Sequence, residues 1–123
     1  MLQTDVKNIV LITIDALRAD YVSTYGEHSG LTPNFDSFAT SNTQFQQAHS
    51  VSSHTREAVP AMLTGKYPTE AISEDYILAA ETITSKLSAE GFSTAAFHSN
   101  PYVSRAYGYG NGFDRFSDDL YLG

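Results

Sequence analysis

Two short segments of the chain hold the residues whose types and spacing could do chemistry. Asp15 closes the apolar run Ile9-Val10-Leu11-Ile12-Thr13-Ile14. Forty residues on, Thr55 lies in His54-Thr55-Arg56-Glu57-Ala58-Val59-Pro60-Ala61-Met62-Leu63-Thr64-Gly65-Lys66-Tyr67-Pro68. A carboxylate delivered at the carboxyl end of a strand can hold a hard cation such as Ca²⁺ or Mg²⁺, which takes oxygen donors. A hydroxyl at the start of a helix sits beside free amides and a partial positive charge, where a tetrahedral oxyanion can be held. It can attack such a group if a metal lowers its pKa. Together the two residues point to metal-assisted cleavage of a sulfate or phosphate ester. Each also has a plain structural use, since Asp opens turns and Thr caps helices. Position alone favours that use for both.

Other polar residues divide in the same way. Arg56, directly after Thr55, is suited to bind ester oxygens and equally suited to be a solvent-facing helix residue. His54 is a loop histidine, Asp20 reads as surface, and His28 and His49 have no supporting pattern. The tyrosines between Tyr102 and Tyr109 read as packing for a loop.

The elements that would position these residues follow from periodicity. Residues 8–14 read as a central strand, apolar on both faces and rich in β-branched side chains. Asp15 to Gly30 reads as a loop with one helical turn. Thr32-Pro33 marks a helix start, with Phe35, Phe38 and Ala39 at helical spacing over 33–41. Phe45 to His49 reads as a short extended piece. Arg56 to Thr64 carries Val59, Met62 and Leu63 on one helical face. Gly65 stops that helix, with Pro68 just beyond. Pro60 removes an amide inside it and implies a bend or a tight first turn. Thr82 caps a further helix over 82–90 that Gly91 ends. Phe92 to Phe97 reads as a second strand, Asn100 to Gly112 as a loop, and 113–116 as a brief strand or turn. Strands separated by helical crossovers imply an α/β fold with a mostly parallel sheet flanked by helices.

Composition bounds the function. The 123 residues are one domain by length, and 41% hydrophobic content with eight Tyr and seven Phe is globular. At that length a chain buries roughly two-thirds of its unfolded surface. Fourteen acidic residues against seven basic argue against nucleic-acid binding. Such an acidic, lysine-poor chain suits a salt-adapted cytoplasm, with an ordinary acidic protein as the alternative. No cysteine is present, which excludes thiolate zinc sites and a cysteine nucleophile. No stretch approaches the roughly 20 apolar residues of a membrane span, and no signal-peptide pattern opens the chain. A cytoplasmic protein is expected.

Several segments resemble the amino-terminal part of sulfatases, in the alkaline phosphatase superfamily. They are Asn8 to Asp20, Leu31-Thr32-Pro33-Asn34-Phe35-Asp36, Leu63-Thr64-Gly65-Lys66-Tyr67-Pro68, Gly91 to Phe97 and Gly112-Phe113-Asp114-Arg115-Phe116. The resemblance runs over nearly the whole chain. It implies a partial alkaline-phosphatase-like sandwich with its site at the carboxyl edge of the sheet. It also implies Asp15 as a metal ligand and Thr55 as nucleophile and metal-bound hydroxyl, with Ca²⁺ ahead of Mg²⁺, Mn²⁺ or Zn²⁺. His98 and Asn100 fall where such enzymes place substrate-binding residues, although the Lys and His often found there are not matched.

The departures from the family pattern are specific. Most sulfatases carry a Cys or Ser oxidised to formylglycine in a Cys/Ser-x-Pro-x-Arg pattern; this chain has Thr55-Arg56-Glu57-Ala58-Val59. Oxidising threonine would give a ketone, so formylglycine is not expected. Thr55-x-x-Ala58-Val59-Pro60-x-Met62 is similar to the nucleophile segment of phosphoethanolamine transferases, which use an unmodified threonine. Ala16 stands where many sulfatases have a second Asp. The family's further metal ligands come from a segment well past the first 123 residues. The expectation is an amino-terminal portion, 1–123, of a sulfatase-like catalytic domain acting on a small sulfate ester. A phosphoester hydrolase or phosphotransferase using Thr55 is the alternative. A non-catalytic module, self-associating or completed by another chain, is the third.

Overall fold

The computed structural model describes residues 8–26 and 28–119. The chain divides into two compact units, Met1–Ala48 and His49–Gly123.

In the first unit Asp15 opens a turn whose next residue, Ala16, has φ 58°. A one-turn 3₁₀ helix at Ala19–Tyr21 follows, within the stretch read as a loop with one helical turn. Helix α1, Pro33–Ala39, begins with Pro at its first position, where the missing amide costs nothing. Thr32 is its N-cap by position, but its hydroxyl makes no capping bond. Instead Thr32 Oγ1 accepts from the Ser23 amide (2.9 Å), while the Thr32 amide donates to Ser23 Oγ (3.2 Å). This exchange pins the 22–26 turn to the helix start and leaves Val22 buried.

The expected central strand at 8–14 is corrected. These residues join no ladder among the described residues, and their side chains face solvent, with Val10 79% and Ile12 76% exposed. A strand exists only where neighbours pair with it and layers cover its faces, and the described residues supply neither to this run. The extended piece expected at 45–49 is also corrected, since it contains a turn at 46–47 and no strand.

The second unit holds the remaining elements. Helix α2, Thr55–Thr64, ends at Gly65, whose φ of 69° is the left-handed conformation that lets the Gly65 amide close on the Ala61 carbonyl. Pro60 lies inside α2 and is fully buried; lacking an N–H, it cannot donate to the Arg56 carbonyl one turn back. Helix α3, Pro68–Ala71, was not anticipated: Pro68, read as a residue past a stop, is its first residue. Ala71 at its end is fully buried. Helix α4, Ile83–Ala89, begins as expected, with Thr82 Oγ1 accepting from the Ser85 amide at 3.1 Å.

Strand β1, Ala95–Phe97, pairs in parallel with β2, Arg115–Ser117, in the register Ala95↔Arg115, Ala96↔Phe116, Phe97↔Ser117. The pair is extended by His98 N–H to the Ser117 carbonyl. Thr94 locks its start, donating through its amide to Asp114 Oδ2 (2.8 Å) and through its hydroxyl to the Gly112 carbonyl (2.8 Å). Gly112 has φ 83°, and a Cβ there would stand 2.5 Å from Ser85 Oγ, so only glycine lets this turn lie against α4. β1 is shorter than the 92–97 expected.

The described residues thus show a small α/β fold with a two-stranded parallel sheet and helices, consistent with a partial alkaline-phosphatase-like architecture. The buried apolar set among them is Val22, Pro60, Ala61, Ala71, Tyr109 and Phe116, smaller than chain length led us to expect.

Candidate active site

The start of α2 carries the chemistry-bearing residues of the second unit. His54 has extended backbone (φ −112°, ψ 134°) and its carbonyl takes the first helical bonds, from the Glu57 and Ala58 amides. His54 is therefore the N-cap residue and Thr55 the first helical residue. This moves Thr55 by one position from the N-cap it was expected to fill.

The approach to α2 is held by serine hydroxyls. Ser52 Oγ accepts from the His54 amide (3.0 Å) and donates to Glu57 Oε2 (2.5 Å). The result is a capping arrangement in which Ser52 reaches the first turn from outside the helix. It also engages Glu57, the carboxylate of that first turn.

Around this turn lies an open cavity of about 520 Å³, lined by residues that include Thr55, Arg56, Glu57, Tyr76 and Tyr102. Thr55 and Arg56 are half-buried. The Arg56 guanidinium carbon lies 4.3 Å from the Tyr102 ring centroid, 5.0 Å from that of Tyr76 and 5.8 Å from that of Tyr107. Arg56 is thus not the solvent-facing residue that was one reading of it. Contacts of this kind stabilise by about 0.5–1 kcal/mol when exposed and more when desolvated.

Two of these rings are placed by local turns. Tyr76 sits in a tight turn, closed by the Tyr76 amide on the Ser73 carbonyl and the Ser73 amide on the Ile77 carbonyl. Its φ is 62°, uncommon for a residue with a ring. Tyr102 belongs to a 3₁₀ turn, Pro101–Val103, whose N-cap is Asn100; Asn100 Oδ1 accepts from the Tyr102 amide at 2.9 Å. The tyrosines of 102–109 divide accordingly. Tyr109 is buried packing as expected, whereas Tyr102 and Tyr107 face a cation.

Asn100 and His98 do not line the cavity. Asn100 acts on it through the turn that carries Tyr102. His98 Nδ1 accepts from the Asn100 amide (3.3 Å), its ring meets Phe116 edge-on (5.0 Å between centroids), and its Nε2 is buried without a partner among the described residues. Sequence reasoning missed Tyr76, Tyr102 and Tyr107. Asn100-Pro101 as a turn opener was the one available signal, and it points only to Tyr102.

Asp15 lies in the first unit, exposed, at the turn after the 8–14 run. Asp20, nearby in sequence, is paired with Arg18 (2.6 and 3.0 Å), and that hydrogen bond holds its carboxyl below the usual carboxylate range. It is surface, as expected. A divalent cation takes six or more oxygens. Asp15 and Thr55 are donors of the right chemical kind. Among the described residues, however, no group of three His, Asp or Glu side chains is placed to hold a metal ion. The described donors therefore do not amount to a complete metal centre.

The described residues show an α/β fold with a hydroxyl and an arginine at the start of one helix. The Sulfatase family model matches residues 7–122, and the chain belongs to the sulfatase family. At the family level it is a sulfatase-like hydrolase. No curated protein and no solved structure gives a significant match. Among the described residues no helix is long and apolar enough to cross a membrane.

Proposed function

We propose that the chain contributes the nucleophile half of a sulfatase-like site and that Thr55 attacks the sulfur of a small sulfate ester. One observation carries this reading. In a sulfatase-family chain, Thr55 and Arg56 stand together on one cavity at the start of a ten-residue helix. Attack forms the Thr55 Oγ–S bond and breaks the ester S–O bond. The hydroxyl proton passes through water to the departing alkoxide, which leaves as the alcohol. Water then attacks sulfur, the S–Oγ bond breaks, Thr55 regains a proton, and sulfate and a proton are released. Arg56 supplies charge to the ester oxygens throughout, and the amino end of α2 adds its partial positive charge.

Asp15 is proposed as a ligand of a divalent cation, Ca²⁺ ahead of Mg²⁺, Mn²⁺ or Zn²⁺, with further oxygen donors from a segment or chain beyond the described residues. Such a cation, when bound, supplies charge neutralisation at the ester. Phosphoryl transfer with the same Thr55 is favoured by the Thr55-x-x-Ala58-Val59-Pro60-x-Met62 pattern. The exposed apolar run at 8–14 favours a module completed by a second copy or another chain. A cytoplasmic setting is part of this reading and rests on composition.

Turnover of aryl sulfate and aryl phosphate by the wild type and by Thr55→Ala tests the assignment. The expected result is loss of at least about 10²-fold in the preferred reaction, as removal of an activated nucleophile produces. Equal turnover by Thr55→Ala would end the nucleophile reading.

A further inference from the structure

We propose that Tyr76 and Tyr102 are positioning residues that hold the Arg56 guanidinium as an anion clamp, so that the cavity recognises a tetrahedral oxyanion through charge-assisted hydrogen bonds. The proposal rests on the reading of the cavity as an ester site and extends it to residues that no motif marks.

The Arg56 guanidinium carbon lies over both rings, 4.3 Å from the Tyr102 centroid and 5.0 Å from that of Tyr76. A ring face offers no lone pair, so these contacts leave the five N–H donors of the guanidinium available to an anion. The ion pairs among the described residues are Arg18–Asp20, Lys86–Glu81 and Arg105–Asp118, and Arg56 takes part in none of them. In a chain with 14 acidic residues against seven basic ones, an arginine held by rings and not by a carboxylate keeps its charge for another anion. Glu57, on the same cavity, is engaged by Ser52 Oγ.

The backbone supports the same assignment. Tyr76 adopts φ 62°, a conformation that glycine or asparagine would take at lower cost. The ring is nevertheless there, facing Arg56. The Leu78 amide donates to the Tyr107 carbonyl at 2.9 Å, tying the turn that bears Tyr76 to the turn that bears the third ring. Three separate turns thus converge on one cation.

The test is titration of the intact chain with inorganic sulfate and, separately, inorganic phosphate, following the Arg56 Nε–Hε resonance by NMR. Saturable binding is expected, and the tighter anion identifies the ester class. Tyr102→Phe, which keeps the ring, should bind within about twofold of wild type, while Tyr102→Leu should bind about fivefold more weakly. Tyr76→Gly should weaken binding by a similar factor with Tm unchanged or raised, because glycine accepts the positive φ. A purely structural tyrosine would instead lower Tm and leave the dissociation constant alone. Unchanged binding in both Tyr102→Leu and Tyr76→Gly, or no saturable binding by the wild type, would overturn the clamp. Thr55→Ala is expected to keep the binding signal and lose turnover, so failure of the nucleophile and failure of the clamp give different results.

Discussion

Thr55, Arg56 and Tyr109 show how one side chain's surroundings decide its chemistry. Thr55 is an ordinary hydroxyl by type, and its interest comes from sharing a cavity with a cation held by rings. Tyr109 shows the opposite outcome, a polar group made inert by burial. It is 3% exposed, and desolvation of the phenolate pushes its pKa up to about 12. An unfolded tyrosine loses its proton near pH 10. Between about pH 10 and 12 the unfolded state therefore holds fewer protons than the folded one. The stability that Tyr109 contributes is whole below pH 10 and lost as pH rises through 12. Denaturant midpoints between pH 9 and 12 should fall across that window, and Tyr109→Phe should flatten the fall.

At the scale of elements, local rules held where a side chain satisfies the backbone from nearby. Thr82 was legible as a cap because its hydroxyl needs only an amide three residues on. Thr82→Ala should cost about 1 kcal/mol in chemical denaturation, with Thr82→Ser recovering most of it. Gly65 was legible as a stop because a left-handed residue is needed there. Thr32 was legible as a boundary but not in its bonding, since its hydroxyl goes to Ser23, nine residues away. Helix α3 was missed because Pro68 signals both the end of one helix and the first turn of the next. The one-residue error at Thr55 has a similar origin, since Ser52 reaches α2 from outside and leaves His54 as the N-cap residue.

At the scale of the molecule, the central question is what covers the apolar run at 8–14. Its composition is that of a strand buried on both faces, yet Ile12 is 76% exposed. Ile12→Ala should therefore change stability by less than about 0.5 kcal/mol, as exposed substitutions do. A buried strand would lose roughly 2–5 kcal/mol from the same change. Denaturant titration of this variant decides between the two. The sheet itself is small, two parallel strands braced by Thr94 and Asp114, and a pair of strands needs helices packed against it to persist.

The sequence by itself determined the family, the α/β class, the starts of helices α1 and α4, the glycine that ends α2, and the nomination of Asp15, Thr55 and Arg56. All of these depend on short-range rules: periodicity, caps, turn residues and ordered motifs. Tertiary structure alone decided that 8–14 has no paired neighbours among the described residues and that Arg56 meets Tyr76, Tyr102 and Tyr107. It also decided that Asn100 works by placing Tyr102. Strand pairing and ring–cation contacts join residues tens of positions apart. They depend on where the chain folds back, which no local spacing encodes.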